Sequence, residues 1–316
     1  METTSNEYLH RLRECMPVLL CTYWTLAAGA AAFALLPVDL APGVRNAVQL
    51  SAARGKLCDN SPRAQLGCLT NITVPQQWFL HFYVAGSACN TCLLYFVLTS
   101  CLPGDTSSSQ RQAISLASLM LLEVHLVRRM VETAFIMKYP IDAKMHLIAY
   151  IFGLSYYVVL PLSCLPMASF ADWSHRSDRQ PGSISMWTKL GLLALKQRHQ
   201  LGVCAFLAGN ALQGWSHCIL ANLRRDTSQN VIKERDFYQI PQGGPFQWVS
   251  CPHYLGEIVI YAGLAVLAGQ ELPLTLLILC WVVANLLLAA QPTHQWYQRH
   301  FPDYPKSRTA LIPYLY

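Results

Sequence analysis

Residues 238–257 read YQIPQGGPFQWVSCPHYLGE and separate two long apolar segments of the chain. Gly243 and Gly244 tolerate a positive φ and allow the backbone to approach a ligand closely, and three prolines exclude a continuous helix. Glu257 lies about one turn inside the next apolar segment, where an ionisable side chain is costly in lipid and usually faces a polar cavity. The stretch therefore predicts a ligand-binding loop at a membrane boundary. An ordinary loop anchored by aromatic rings is the alternative.

The composition of the 316 residues is that of a membrane protein. The chain is 53% hydrophobic and 13% charged, whereas soluble domains are typically about 25% charged. Apolar segments recur, each long enough to cross a hydrocarbon core of about 30 Å. The net charge of +6 is distributed over the loops, which is typical of contact with lipid headgroups and not of nucleic-acid binding. We therefore predict an all-α, polytopic membrane protein with about seven transmembrane helices.

Seven apolar segments are predicted to cross the membrane, and a polar segment at residues 1–15 precedes them. That polar segment is long and has no clear cleavage site, which disfavours a removable signal peptide. A shorter apolar stretch at 187–195 comes before the fifth span, and a tight hairpin at 270–273 joins the last two. The predicted spans are 16–36, 78–102, 113–137, 145–167, 201–223, 254–269 and 272–290.

The distribution of Lys and Arg predicts the orientation of the chain. With seven spans, thirteen of these residues lie on the side of the C-terminus and eight on the opposite side. Cytoplasmic loops carry the excess of basic residues, so the C-terminus and residues 238–257 are predicted to lie in the cytosol. The same orientation places the glycosylation sequon at Asn71 in the cytosol, where it would remain unmodified.

Cysteine usage predicts neither a disulfide framework nor a metal site. The chain has 12 cysteines, and many of them lie inside apolar segments. Cys58 and Cys68, in the first predicted loop, are the candidates for a disulfide, although free thiols are the expectation.

Polar residues collect in four clusters at predicted membrane boundaries, largely on the cytosolic side of the last three spans. Spacings of three or four residues place members of a cluster on one helical face. Because Arg binds phosphate through paired hydrogen bonds, the clusters favour a phosphate-bearing ligand with a ribose and aromatic rings. Basic residues that extend to lipid headgroups and histidines that serve packing are the alternatives. The clusters are residues 125–132, 216–225, 253–257 and 294–308.

Common nucleotide-binding and hydrolase motifs are absent from the sequence. It has no Gly-x-Gly-x-x-Gly between a strand and a helix, no Walker loop, no His-Glu-x-x-His and no Gly-x-Ser-x-Gly. Membrane helices would therefore have to hold a dinucleotide.

These residues resemble the steroid 5α-reductase family, a group of seven-helix membrane reductases that use NADPH. The resemblance rests on the tail HQWYxxxFPDYPKSRxALIP, the loop YxIPQGGxFxWVSxPxYLGE and the upstream run HxILxNLR. It covers residues 216–316 strongly and an HxxRRxxE pattern in the third predicted span more weakly.

The resemblance implies a division of the chain near residue 200. Residues 16–200 are expected to hold the substrate, and residues 201–316 are expected to form an NADPH-binding membrane region. Gly243 and Gly244 would form the loop over the cofactor. The other cofactor contacts that the resemblance implies are His217, Asn222, Arg224, Tyr238, His253, Glu257, His294 and Tyr297.

Two positions depart from the family's pattern. The family usually has Asn where this chain has His253, so the amide geometry of a nicotinamide contact is lost there. The steroid enzymes hold the substrate ketone with a Glu and a Tyr, whereas this chain lacks that Glu and has Leu126 in place of the Tyr. Both observations at the ketone site argue against a steroid. The family's branch that acts on long polyprenoid lipids is resembled at three places: HFY at 81–83, the pattern at 125–132 and the HxILxNLR run at 217–224.

The chemistry of hydride transfer constrains the substrate independently. Hydride adds poorly to an isolated alkene but well to the β-carbon of a conjugated carbonyl, if a donor stabilises the enolate oxygen. Polyprenal is therefore an easier acceptor than the allylic alcohol polyprenol. His81 is the predicted carbonyl-polarising donor, with Tyr83 as an outside candidate, and Glu257 and Tyr297 are the other catalytic candidates.

The expected function is NADPH-dependent reduction of the α-isoprene double bond of polyprenal or polyprenol, in dolichol synthesis for N-glycosylation at the endoplasmic reticulum membrane. The expected partner is a polyisoprenoid lipid, with no nucleic acid. The alternatives are reduction of a 3-oxo-Δ4-steroid, methyl transfer from S-adenosylmethionine, and lipid binding or transport. Inverted repeats with broken helices would favour transport, and the sequence has no evident internal repeat.

Overall fold

The computed structural model of the protein describes residues 2–36, 42–52, 72–99, 106–140, 143–166, 196–223 and 238–316. Helices dominate these residues, with two short strands. The helices are α1 (Glu2–Leu35), α2 (Pro42–Ala52), α3 (Phe79–Thr99), α4 (Thr106–Val131), α5 (Leu147–Leu162), α6 (Gln197–Leu223), α7 (Pro252–Ala268) and α8 (Leu274–His300). The strands are β1 (Thr73–Pro75) and β2 (Lys144–His146).

Three helical segments within the described residues are long and apolar enough to cross a membrane: Glu14–Leu35, Gln76–Thr99 and Leu274–His300. Helices α5 and α7 are also apolar but shorter. The protein is therefore a helical membrane protein, and the number of seven crossings stays a prediction. Cys58, Cys68 and Asn71 lie outside the described residues, as does the apolar stretch at 187–195.

The structure corrects the expected all-α architecture in one feature. Strands β1 and β2 form an antiparallel pair, in which Thr73 is opposite His146 and Pro75 is opposite Lys144. β-Branched Thr73 and Val74 favour this extended backbone. Residues 2–15, which belong to the predicted polar segment, form the first turns of α1.

Helix α8 continues about ten residues beyond its predicted end at 290 and reaches His300. Its last turns therefore carry His294 and Tyr297, which the sequence places after the span. The apolar pattern of the sequence ends near residue 290, whereas backbone hydrogen bonding continues the helix through the polar residues that follow.

Glycines bring α6 and α7 into direct backbone contact. A Cβ atom on Gly202 would lie 2.4 Å from the backbone nitrogen of Leu267, and one on Gly263 would lie 2.4 Å from that of Phe206. Two helical turns after Gly202, a Cβ on Gly209 would lie 2.7 Å from the carbonyl oxygen of Gly256. Small residues permit this close approach of membrane helices. The contact fixes the polar residues of α6 opposite those of α7.

An aromatic core joins α1, α5, α7 and α8. Trp24 is fully buried and donates from Nε1 to the Ser163 hydroxyl at 2.8 Å. Tyr156 packs against Trp281 with ring centroids 4.6 Å apart, and its hydroxyl donates to that of Tyr261 at 2.6 Å. Buried hydroxyl and indole groups are costly unless they are paired, and these pairs satisfy that requirement.

The C-terminal segment folds back on the loop that follows Tyr238. The backbone nitrogens of Ser250 and Cys251 donate to the carbonyl oxygens of Thr309 and Ala310 at 2.9 and 3.0 Å. Arg308, which is 7% exposed, donates from Nη1 to the carbonyl oxygen of Pro241 at 2.9 Å. The tail therefore holds both ends of this loop in place.

Candidate active site

A cavity of about 510 Å³ lies among the helices, within the size range of about 300–1,000 Å³ that small-molecule sites occupy. Its lining divides by chemistry into three parts. The polar part includes Tyr83, Arg129, Gln213, His217 and Glu257; the aromatic part includes Phe82, Phe152, Tyr156, Tyr157 and Trp281; the small apolar part includes Ala27, Ala30, Ala31, Ala47 and Val48. The cavity thus combines charged groups with a surface suited to hydrocarbon.

Arg129 is at the centre of the polar part. Its Nη1 forms an ion pair with Glu132 Oε2 at 2.6 Å, and its Nη2 and Nε donate to the Tyr83 hydroxyl oxygen at 2.8 and 3.2 Å. Nδ1 of His217 lies 2.7 Å from Arg129 Nη1 and 2.8 Å from Glu132 Oε2. The Arg129 side chain is only 12% exposed, so Glu132 compensates a charge that little water reaches.

A second arginine connects this centre to Glu257. Arg128 forms an ion pair with Glu132 and donates to the side-chain oxygen of Gln213. The amide nitrogen of Gln213 donates in turn to Glu257 Oε2. His125 is fully buried, and its Nε2 lies 3.9 Å from Glu257 Oε1. Such a connected network holds its members in fixed positions.

A change in helical geometry marks the end of α4. Residues Glu132–Ile136 form a π-helical turn, after which the backbone nitrogen of Met137 donates to the carbonyl oxygen of Glu132 at 2.7 Å. π-Helical turns are rare and frequently lie at functional sites. This one places Glu132 between both arginines and His217.

Aromatic residues of α8 and the tail form the side of the cavity near the loop. The Tyr297 ring stacks on Tyr304 at a centroid distance of 5.3 Å. The Ser250 hydroxyl lies 2.6 Å from both His294 Nδ1 and the Tyr304 hydroxyl. Of these residues, Ser250 and Tyr297 line the cavity.

Comparison with known proteins assigns the family. A family model described as 3-oxo-5-alpha-steroid 4-dehydrogenase matches residues 185–316. Polyprenal reductase 1 of Oryza sativa subsp. indica is 33% identical, over 94% of this chain and 97% of its own. Polyprenal reductase 1 of Arabidopsis thaliana is 35% identical over 93% and 96%, and polyprenal reductase of Danio rerio is 32% identical over 92% and 96%.

The chain belongs to the polyprenal reductase branch of the steroid 5α-reductase family. The family assignment made from the loop and tail motifs is thereby confirmed.

In the present member of the polyprenal reductase branch, half of the residues expected to contact the cofactor line the cavity. The residues that line it are His217, Tyr238, His253, Glu257 and Tyr297. They come from α6, the loop, α7 and α8, so distant parts of the 201–316 region converge on one wall. Their roles remain predictions.

The other expected cofactor contacts lie elsewhere. His294 is buried and bonded to Ser250 rather than lining the cavity, and Asn222 is exposed near the end of α6. Gly243 has φ +80° with open space around its Cα, whereas Gly244 has φ +50° and packs against Trp215. Arg224 lies outside the described residues.

His81 does not line the cavity. The His81 side chain is exposed. Its Nδ1 lies 3.0 Å from the Tyr150 hydroxyl oxygen, and its ring packs against Trp78. Residues two apart on an α-helix point in roughly opposite directions, so Tyr83, two residues later, faces the interior and lines the cavity. The sequence directed attention to this helix but could not show which of its polar rings faces inward.

Gln213 is a site residue that the motifs did not indicate. It lines the cavity and connects Arg128 to Glu257. The available signal was spacing, since Gln213 precedes His217 by four residues and Asn210 precedes Gln213 by three, which places three polar groups on one face of an apolar helix.

Proposed function

We propose that this protein reduces the α-isoprene double bond of polyprenal with NADPH, as a step in dolichol synthesis at the endoplasmic reticulum membrane, with its C-terminus in the cytosol. The observation that carries the proposal is a single cavity that joins an arginine–tyrosine–carboxylate network to an aromatic and alanine-rich surface. The names of the plant and vertebrate relatives support the same substrate.

The residues of the cavity fit the nicotinamide end of the cofactor. Glu257 presents a carboxylate that can accept from a carboxamide, with 17% of its side chain exposed to the cavity, and His253 and the Tyr297 ring line the same region. Bound there, the cofactor would supply a hydride. The cation expected at its phosphates is Arg224, together with the Gly243-Gly244 loop, and Arg224 lies outside the described part of the chain.

The aldehyde is preferred over the alcohol on chemical grounds. Hydride addition at the β-carbon of an enal places negative charge on the aldehyde oxygen, and a preorganised donor stabilises that charge. The alcohol polyprenol offers no oxygen that gains charge in the same way. The cationic Arg129 beside Tyr83 suits an oxygen that becomes negative.

The test of this function is turnover by purified protein in lipid nanodiscs. Polyprenal, polyprenol and a 3-oxo-Δ4-steroid are each supplied with NADPH or NADH, and the saturated product is measured by mass spectrometry. We expect polyprenal with NADPH to give the highest kcat/KM. Higher kcat/KM with the steroid would move the assignment to the steroid reductases, whose name the family model carries.

Substitution of Ala30 tests the path of the polyprenyl chain. A cavity of about 510 Å³ holds only the first isoprene units, so the remaining chain must leave through the alanine-lined wall of α1 and α2. Ala30→Trp should lower kcat/KM for long polyprenal about tenfold or more, because overpacking costs about 1–3 kcal/mol. Citral, which has only two isoprene units, should be reduced at about the wild-type rate.

Ala32→Trp is the matched control for this prediction, because Ala32 is exposed on the same helix and does not line the cavity. It should leave kcat/KM for both aldehydes unchanged. Equal losses with citral and long polyprenal in Ala30→Trp would contradict the chain path.

Glu257 is predicted to serve cofactor binding. Glu257→Leu removes the carboxylate proposed to accept from the carboxamide, and a hydrogen bond to a charged group contributes about 1.5–3 kcal/mol, so the NADPH Kd should rise roughly ten- to a hundredfold. Glu257→Gln keeps an acceptor oxygen and should raise the Kd less. Binding is measured by nicotinamide fluorescence, with Glu14→Leu, at an exposed position of α1 outside the predicted ligand clusters, as control. Wild-type Kd in a folded Glu257→Leu protein would assign Glu257 a structural role.

A further inference from the structure

Tyr83 lines the cavity, and its one hydrogen-bonding partner among the described residues is the guanidinium of Arg129. The residue is 6% exposed. Its hydroxyl oxygen accepts hydrogen bonds from Nη2 and Nε of Arg129 at 2.8 and 3.2 Å, and the guanidinium carbon lies 5.0 Å from the centre of its ring. The edge of Arg129 therefore covers the oxygen from one side.

This arrangement leaves the hydrogen of the Tyr83 hydroxyl to be donated elsewhere. A phenol oxygen accepts up to two hydrogen bonds and donates one, and Arg129 has no acceptor to offer. Among the residues that the structure describes, no protein acceptor lies within hydrogen-bonding distance of this hydroxyl. The Tyr83 side chain thus lines the cavity, its O–H has no described protein acceptor, and the cationic Arg129 contacts its oxygen.

Neighbouring groups keep Arg129 in this position. Glu132 holds its Nη1 at 2.6 Å, and the π-helical turn that begins at Glu132 sets the carboxylate behind the guanidinium. Tyr157 packs against the Tyr83 ring with centroids 5.1 Å apart. The phenol is therefore preorganised, which is what a group that stabilises a developing charge requires.

We infer that Tyr83 is the catalytic residue that donates to the substrate's aldehyde oxygen and that Arg129 is its positioning residue, an assignment that rests on the proposed function. As the β-carbon of the enal takes up a hydride from the reduced nicotinamide dinucleotide, the electron pair of the C=C π bond shifts to the bond between the α-carbon and the carbonyl carbon. The carbonyl π pair then moves onto oxygen, which takes the Tyr83 proton.

The remaining protons come from water. Arg129 stabilises the tyrosinate until a proton from water restores the phenol. The enol gains a proton from water at its α-carbon and loses its hydroxyl proton to water, which yields the saturated aldehyde. The sum is one hydride and one proton added across the double bond.

The test is Tyr83→Phe, which removes one oxygen and preserves the ring. Loss of one oxyanion donor typically lowers kcat about 10²–10³-fold, and we expect that loss with polyprenal, while KM and the NADPH Kd stay near wild type. Tyr95→Phe, at an exposed position of the same helix, is the matched control and should keep wild-type kcat. A Tyr83→Phe enzyme within about threefold of wild-type kcat, well short of such a loss, would overturn the assignment.

If Tyr83→Phe does not fold, a second variant tests the inference. Thermal unfolding measured with and without NADPH shows whether Tyr83→Phe is folded. Arg129→Lys keeps the charge beside Glu132 but loses the paired contacts on the hydroxyl. It should lower kcat about tenfold with KM little changed, because the free energy of a hydrogen bond to a charged group corresponds to a rate change of about that size. Unchanged kcat in Arg129→Lys would remove Arg129 from its positioning role.

A binding measurement separates this inference from the proposed function. Farnesoic acid carries an anionic oxygen where the enolate oxygen would be, and its Kd needs no turnover. The Kd should rise about tenfold or more in Tyr83→Phe, with the NADPH Kd unchanged. If wild-type protein binds farnesoic acid through Tyr83 but does not reduce polyprenal, the proposed function is wrong and Tyr83 keeps its role as a hydrogen-bond donor to the ligand oxygen. An unchanged farnesoic acid Kd would reject the donor.

Discussion

Glu132→Leu is expected to lower the thermal unfolding midpoint by about 6–20 °C, because the change leaves Arg128 and Arg129 without their shared carboxylate. Removing one partner of a buried ion pair costs about 3–5 kcal/mol, and about 1 kcal/mol corresponds to roughly 2–4 °C in a chain of this size. Glu132 is 5% exposed and also contacts His217, so little water reaches the uncompensated arginines.

Two further variants isolate the cause of this loss. Glu14→Leu makes the same change at an exposed position of α1 and should leave the midpoint unchanged. Glu132→Leu combined with Arg128→Met and Arg129→Met removes all three charges, and apolar replacement of a whole buried ion cluster is often neutral or stabilising. We expect this triple variant to regain most of the midpoint and to remain inactive. A midpoint as low as that of Glu132→Leu alone would show that packing, not charge, causes the loss.

Gly263→Val is expected to separate α6 from α7 and to abolish both stability and turnover. Its Cβ would lie 2.4 Å from the backbone nitrogen of Phe206 and 2.7 Å from the carbonyl oxygen of Gly202. A backbone cannot rotate away as a side chain can, so the helices must move apart. Overpacking typically costs about 1–3 kcal/mol or more, and here separation would also move Glu257 away from Gln213.

The matched control is Gly29→Val on α1, where a Cβ would meet nothing within 4 Å. Thermal unfolding and NADPH binding are measured on both variants in nanodiscs. We expect Gly29→Val to match wild type and Gly263→Val to lose folded protein or, if it folds, NADPH affinity. A Gly263→Val protein with wild-type midpoint and affinity would contradict the role of the glycine contact.

Much of the fold could be predicted because hydropathy reports burial in lipid. The hairpin at 270–273 and the starts of α3 and α7 follow directly from where apolar residues begin and end. Hydropathy failed where backbone hydrogen bonds continue a helix without lipid: α1 begins at Glu2 and α8 extends to His300. The pair of strands was missed because each has only three residues.

The sequence by itself determined the family, because the motifs of the loop and the tail are specific, and it determined which residue types can bind a dinucleotide. It also predicted polar groups of interest on α3 and α4, and one residue of each, Tyr83 and Arg129, lines the cavity. Each of these conclusions depends on residues close together in the chain, for which spacing along a helix is sufficient information.

Only the tertiary structure decided which side chains meet. The rotation of α3 places Tyr83 inside the cavity and His81 on the exposed surface, and the glycine contact of α6 with α7 places Gln213 against Glu257. The tail reaches the carbonyl oxygen of Pro241 through Arg308, across 67 positions of sequence. Helix rotation and such long-range contacts result from packing between elements distant in the chain, and local spacing carries no information about that packing.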